Sequence, residues 1–219
     1  MIKPSPHCQT ITTLIVLLQM DKVINTIIFD YAGVLTPTQG FDTFIDKYSG
    51  ELKLTKEQLY VFLKRNWQSA STGNISSNIY WSNLANDIGL SIEATKKNIV
   101  GTFPLNNNIF KVIKKLKENY NTVLMSNQIR GWIEDELLPE KITDYFTQNF
   151  SSYIIGIKKP NKSAYEIILN QLKVEGNKCL YFDDQKENIM AALDLGINSV
   201  QFYEDTDINK ELEAYNIFV

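Results

Sequence analysis

The sequence is constrained most by a set of short apolar runs that do not alternate. Thr26–Phe29 (TIIF), Thr122–Met125 (TVLM), Cys179–Phe182 (CLYF) and Ser199–Phe202 (SVQF) have strand character. None shows the apolar–polar alternation of a strand with one wet face. Strands buried on both faces read this way, and such strands belong to parallel sheets covered by helices. Helical stripes lie between the runs. Ile109, Val112, Ile113 and Leu116 fall at i, i+3, i+4 and i+7, with lysines on the opposite face. Ala164, Ile167, Ile168 and Leu172 form a second stripe, and Ile189, Ala192 and Leu193 a third. Apolar runs alternating with amphipathic helices predict an α/β fold, a Rossmann-like parallel sheet with helices packed on it.

Residues 38–104 interrupt this alternation. FDTFIDKY, TKEQLYVFLKRNW, SSNIYWSNLANDI and SIEATKKNIVGTF all read as helix, punctuated by Gly50, Gly73 and Gly89. The expected organisation is a sheet domain made from residues 21–37 and 105–219, with a helical cap over 38–104 inserted after the first strand. Trp67, Tyr80 and Trp81 fall in the insertion and are expected to form its core. Residues 1–20 carry one apolar run, Leu14–Leu18, too short to cross a bilayer. Gln19 and Asp21 leave no small-residue cleavage site after it. The segment reads as an N-terminal extension, with a docked helix as the alternative. Without a targeting signal, and with sparse cysteines, a cytoplasmic protein is expected.

Composition narrows the chemistry. The chain has one histidine, His7. This excludes Ser-His-Asp and Cys-His hydrolases, histidine-rich zinc sites and histidine general bases in the body of the fold. Cys8 and Cys179 define neither a disulfide framework nor a Cys-x-x-Cys site. A net charge of −3 without a basic block argues against nucleic acid as the main partner. A catalyst built here must rely on carboxylates, lysine, hydroxyls or a hard metal ion. Open parallel sheets bind ligands beyond the carboxyl ends of their strands. The residues to inspect are therefore Asp30–Thr36 (DYAGVLT), Ser126-Asn127-Gln128 and Asp183–Asn188 (DDQKEN), with Gly156–Pro160 (GIKKP) just before the Ala164 helix.

Together these segments closely resemble the haloacid dehalogenase superfamily, most of whose members are phosphatases. The match is F-D-x-x-G-V-L-T at Asp30, S-N at Ser126, G-x-x-K-P at Lys159 and D-D-x-x-x-N at Asp183 and Asp184. Order, spacing and strand context agree over residues 24–219, and the insertion falls where that family places its small helical cap. The resemblance implies that Asp30 is a nucleophile forming an aspartyl-phosphate. It implies Mg²⁺ as cofactor, held by Asp30, the backbone carbonyl of Ala32 and Asp184, with Asp183 and Asn188 supporting. Lys159, held extended by Pro160, would offset phosphate charge and orient Asp30. Gly156, three places before it, favours Lys159 over its neighbour Lys158. Ser126 and Asn127 would bind the phosphoryl oxygens or shape their loop, and Gly33 would permit the tight turn after Asp30. The implied substrate is a small phosphorylated metabolite. Neither nucleic acid nor a membrane is expected as a partner, and the oligomeric state is not legible.

The chain departs from this family at one position. Most of its phosphatases carry a second aspartate two residues after the nucleophile, which protonates the leaving oxygen and later activates water. Here that position is Ala32. General acid–base help is worth ~10²–10⁴-fold in rate. Slow turnover, a good leaving group or a substitute acid is therefore expected, and Glu187 and Asp135 are the acids nearest in motif order. Tyr31 either lines the pocket or packs against the cap. Two other readings stand beside the phosphatase. Ala32 favours a catalytically weak or silent binding or regulatory protein. A metal-free 2-haloacid dehalogenase would also use Asp30, but the Asp183-Asp184 pair would repel its carboxylate substrate.

Overall fold

The computed structural model describes residues 24–37, 40–132 and 141–219. The N-terminal extension and Asp135 lie outside the described residues. Among those described, five parallel strands form one sheet: β1 (Thr26–Phe29), β2 (Asn121–Ser126), β3 (Gln148–Ser151), β4 (Cys179–Asp183) and β5 (Asn198–Gln201), in the order β3-β2-β1-β4-β5. Central β1 pairs Ile28 with Val123 of β2 on one side and Tyr181 of β4 on the other. Every residue of β1 and β4 is buried, which is the physical reason their sequences do not alternate. The chain winds from β1 out to β3, then returns to place β4 on the other side of β1. This reversal opens a crevice at the strands' carboxyl ends.

Helices α1 (Asp42–Tyr48), α2 (Lys56–Lys64), α3 (Trp67–Ser71), α4 (Ser77–Ile88) and α5 (Ile92–Val100) form the insertion. Their limits follow from local capping. Thr55 and Gln58 exchange side-chain bonds at the start of α2, and Ser76 and Ser91 accept from Ile79 N and Ala94 N. Gly89 ends α4 at φ 72°, a left-handed geometry that costs a glycine little. The sheet is covered by α6 (Asn107–Leu116), α7 (Ser152–Ile155), α8 (Lys162–Leu172), α9 (Lys186–Leu193) and α10 (Ile208–Glu213). No described helix is long and apolar enough to cross a membrane.

Alternation along β1 feeds two apolar layers. Ile28 joins Val123, Met125, Ala164, Tyr165 and Ile168 on the α8 side. Ile27, Phe29 and Tyr31 join Ile109, Ile113 and Leu116 of α6 on the other. This second layer continues into the insertion through Leu59, Leu63, Tyr80, Trp81 and Leu84, so the inserted helices share a core with the sheet. Strand β3 is the strand the sequence did not announce, as it did not announce the short helices α7 and α10. Its residues, QNFS, include one large apolar side chain, Phe150, and among the described residues it pairs only with β2, at the sheet edge. An edge strand needs little hydrophobic run to hold it.

Candidate active site

Asp30 follows β1 directly, its N–H donating to Phe182 O at 2.9 Å, and its side chain is buried in the crevice. Oδ1 accepts from Tyr31 N at 2.6 Å and sits 2.9 Å from Lys159 Nζ. The same ammonium lies 2.7 Å from Asp183 Oδ2 and donates to Met125 O at 3.0 Å. An ammonium has three protons, and here they serve β1, β2 and β4 together. Lys159 is buried, whereas Lys158 is half-exposed and makes none of these contacts.

Asn127 is placed to hold this lysine. Lys159 N donates to its Oδ1 at 2.9 Å, and its Nδ2 donates to Lys159 O at 3.0 Å. Its amide is therefore engaged with the backbone of Lys159 rather than turned toward a phosphate. Ser126 is buried at the end of β2, in register with Ser151.

The two aspartates after β4 differ sharply. Asp183 accepts from Gln185 N at 2.8 Å, from Asn188 Nδ2 at 2.9 and 3.0 Å, from Lys159, and from the Tyr181 hydroxyl in a short bond. Tyr181 went unnoticed in the sequence. Its signal was its place two residues before Asp183, which puts both on one face of a strand. Asp184 Oδ1, by contrast, is buried with no hydrogen-bond partner among the described residues. Gly33, at φ 79°, leaves room for it: a Cβ there would stand 2.5 Å from Asp184 Cγ. Leu35 N and Thr36 N both donate to Tyr31 O and close this turn. Gly33→Ala is expected to cost about 1–3 kcal/mol through the left-handed backbone alone, with more from the clash. A loss within that range would show that Asp184 can yield, and a urea midpoint equal to wild type would contradict both costs.

The charges are unequal, three carboxylates against one ammonium. Burial is the largest influence on Asp30 and pushes it well above the usual carboxylate range; Lys159 pulls it down, while Asp183 and Asp184 push it further up. Burial also opposes ionisation of Asp183, but Lys159, Tyr181 and Asn188 outweigh it and hold that carboxyl below its ordinary value. Asp184 is pushed up to about 6, chiefly by burial and then by Asp183. Burial works against charge on Lys159, yet Asp183 and Asp30 prevail and hold its pKa high.

One carboxylate oxygen each from Asp30, Asp183 and Asp184 lies within 4.8 Å of the others. Hard oxygen donors, excess negative charge and the unpartnered Asp184 Oδ1 together fit a small divalent cation. Asn188 Oδ1 is likewise buried without a partner among the described residues. Glu187 is exposed in the first turn of α9, outside this buried group.

Ala32 is half-buried and bridges to Thr36. Tyr31 lies in the layer shared with the insertion, its ring stacked on Phe103 at 6.3 Å. The aromatic residues expected to form the core of the insertion are indeed packed together, Trp67 on Tyr80 and Tyr80 on Trp81. Their cluster does not stop at the insertion: Trp132, from the segment after β2, stacks on Trp81 at 5.8 Å. A buried donor without a partner costs about 1–3 kcal/mol. The cluster holds such groups in Tyr31, Trp81 and Trp132, each unpartnered among the described residues.

A lysine-bridged set of carboxylates thus stands at the switch point of the parallel sheet. The family model of haloacid dehalogenase-like hydrolases matches residues 24–196, and the chain belongs to that family. Among individual relatives, it is 31% identical over 87 residues to flavin mononucleotide hydrolase 1 of Arabidopsis thaliana chloroplasts, covering 40% of this chain and 34% of that protein. It is 26% identical over 175 residues to the sesquiterpene phosphatase astK of Aspergillus oryzae, covering 78% of this chain and 85% of that one. The fold is similar to that of a haloacid dehalogenase family enzyme of Bacteroides thetaiotaomicron solved with magnesium and inorganic phosphate. The TM-score is 0.74 at 18% identity, over 86% of this chain and 98% of that one.

Proposed function

We propose that this chain is a Mg²⁺-dependent phosphomonoesterase acting on a small phosphorylated metabolite. The observation that carries the reading is Asp30 at the crevice, bridged by Lys159 and faced by the unpartnered oxygen of Asp184. Lys159 and the Tyr31 N–H hold Asp30 Oδ1, which leaves Oδ2 to attack phosphorus. The P–O bond to the leaving group breaks as the aspartyl-phosphate forms. Water then attacks phosphorus, inorganic phosphate departs and Asp30 is regenerated. Mg²⁺, held by Asp30, Asp184 and the Ala32 carbonyl with Asp183 and Asn188 outside them, would neutralise phosphoryl charge and favour ionised Asp30. Lys159 offsets further charge, and Asn127 keeps that lysine in place.

The family relationship supports hydrolysis, and the names of two relatives describe phosphate-ester chemistry. Steady-state assays with p-nitrophenyl phosphate and a panel of metabolite phosphates, in Mg²⁺ and in EDTA, test it. Turnover that survives EDTA would contradict the reading, and chloride release from a 2-haloacid in EDTA would establish the dehalogenase instead.

Ala32 supports a second reading, a binding or regulatory protein without useful turnover, since no side-chain acid stands at that position. Ala32→Asp separates the two. Adding a general acid is expected to raise kcat for an alkyl phosphate such as glycerol 3-phosphate by about 10²-fold or more. The gain for p-nitrophenyl phosphate should be smaller, because its leaving group needs no proton and only the activation of water benefits. No turnover by either protein on any phosphate ester would favour the silent module.

A further inference from the structure

Ser152 belongs to none of the motifs above, yet it is buried and its hydroxyl is engaged on two sides. Gln128 N donates to its Oγ at 3.1 Å, and Oγ donates to Ser71 O at 2.6 Å. The Gln128 carbonyl is farther, at 3.4 Å, so the single hydroxyl proton goes to Ser71. The three residues come from separate elements. Gln128 lies in the loop after β2, Ser152 begins α7, and Ser71 ends α3 of the insertion. One buried hydroxyl therefore joins the insertion to the loop that carries Ser126 and Asn127.

Neighbouring contacts pass through the same junction. The Arg130 guanidinium lies over the Tyr153 ring, 5.9 Å from its centroid. Gly73 brings the insertion's backbone against the same residue: a Cβ there would stand 3.2 Å from Tyr153 O. Ser152 and Tyr153 thus form a bracket, with the loop after β2 on one side and the insertion on the other. Within that loop, Asn127 exchanges two hydrogen bonds with the backbone of Lys159. Lys159 Nζ in turn lies 2.9 Å from Asp30 Oδ1. A continuous chain of contacts runs from Ser71 through Ser152, Gln128, Asn127 and Lys159 to Asp30.

We propose that Ser152 is a positioning residue of this site. Through Gln128 N it fixes the loop of Ser126 and Asn127, and its bond to Ser71 makes that placement depend on the docked insertion. It touches no reacting atom. Without the hydroxyl, a buried N–H and a buried carbonyl both lose their partner. They regain partners only if the loop or the insertion moves. A misplacement of about 1 Å at a catalytic site costs on the order of 10²-fold in rate. Docking of the insertion and placement of Lys159 are then one event.

Coupling along such a chain is measured by a double-mutant cycle. Turnover of p-nitrophenyl phosphate with Mg²⁺ is the first readout, and it rests on the phosphatase reading. Ser152→Ala should lower kcat/KM by about 10–100-fold. In an Asn127→Ala background the same change should cost less than about threefold, because the link to Lys159 is already cut. Ser152→Thr keeps the hydroxyl and should stay within about threefold of wild type. Ser152→Cys, whose thiol is a weak acceptor, gives the readout of Ser152→Ala should that variant fail to fold. The second readout needs no turnover. Hydrogen exchange of Lys159 N–H, followed by NMR, should speed by about tenfold or more in Ser152→Ala, while the amides of β4 stay within about twofold. Equal losses in both backgrounds would overturn the proposal. So would a lowered Tm with kcat/KM and Lys159 exchange unchanged, which would make Ser152 a packing contact. Where the wild type hydrolyses no phosphate ester, the phosphatase reading falls and Lys159 exchange alone decides this one.

Discussion

Asp30→Asn is expected to lower turnover of p-nitrophenyl phosphate by about 10⁴–10⁶-fold, the scale on which essential nucleophiles are lost. The amide is nearly isosteric, so Lys159 and the Tyr31 N–H can still bond to its oxygen. What disappears is the oxygen that attacks phosphorus. The same substitution has an opposite effect on metal-free stability. Burial and two neighbouring carboxylates already push Asp30 well above the usual range. For an acid, a folded-state pKa above the unfolded one means that stability falls as pH rises from the ordinary carboxylate range through the raised value. The metal-free variant should therefore be more stable than wild type at pH 7, and this advantage should shrink as pH falls and Asp30 of the wild type takes up a proton. Thermal melts in EDTA at pH 7 and pH 5 read this directly. Mg²⁺ should raise the wild-type Tm more than that of the variant. Turnover that persists in Asp30→Asn would remove it from the chemistry altogether.

What could be read in advance divides along physical lines. The runs around Ile28 and Tyr181 announced β1 and β4 because both faces of those strands are covered, and burial leaves a dense apolar signature. Asp30, Ser126 and the Asp183-Asp184 pair were legible because each follows such a run. Lys159 was legible through Gly156 and Pro160 beside it. Edge strand β3 was not, since a sheet edge demands little of its side chains. The difference between Asp183 and Asp184 could not be derived from adjacency either. It arises because Tyr181, Asn188, Gln185 N and Lys159 all converge on one carboxyl and leave Oδ1 of the other without a partner among the described residues. The aromatic cluster shows the same limit. Trp81 and Trp132 are far apart in the chain, and only the docking of the insertion brings their rings together.

Lys159→Met should produce the largest loss of stability of any single change at this site. The lysine is buried, and its ammonium touches Asp30, Asp183 and Met125 O within 3.0 Å. Removing one partner of a buried ion pair costs about 3–5 kcal/mol, because the other is left charged and unsolvated. Here Asp30 can relieve part of the cost by staying protonated, while Asp183 loses the attraction that keeps it ionised. Its carboxyl is held below the ordinary value, and among the attractions opposing burial Lys159 comes first. A depressed folded-state pKa gives stability that is present above the unfolded pKa and lost as pH falls through the folded one. With Lys159 gone, burial should push Asp183 upward instead. The deficit relative to wild type should therefore be greatest near pH 7 and narrow toward pH 4, as both carboxyls take up protons. Urea midpoints in EDTA at the two pH values measure it, and a deficit independent of pH would show that Lys159 is not the counter-charge. Activity should fall by at least about 10²–10³-fold, the loss typical of one preorganised group facing developing charge. Lys159→Arg should not rescue either property. A single nitrogen serves acceptors from β2, β4 and the residue just after β1, and a planar guanidinium cannot gather them at one point.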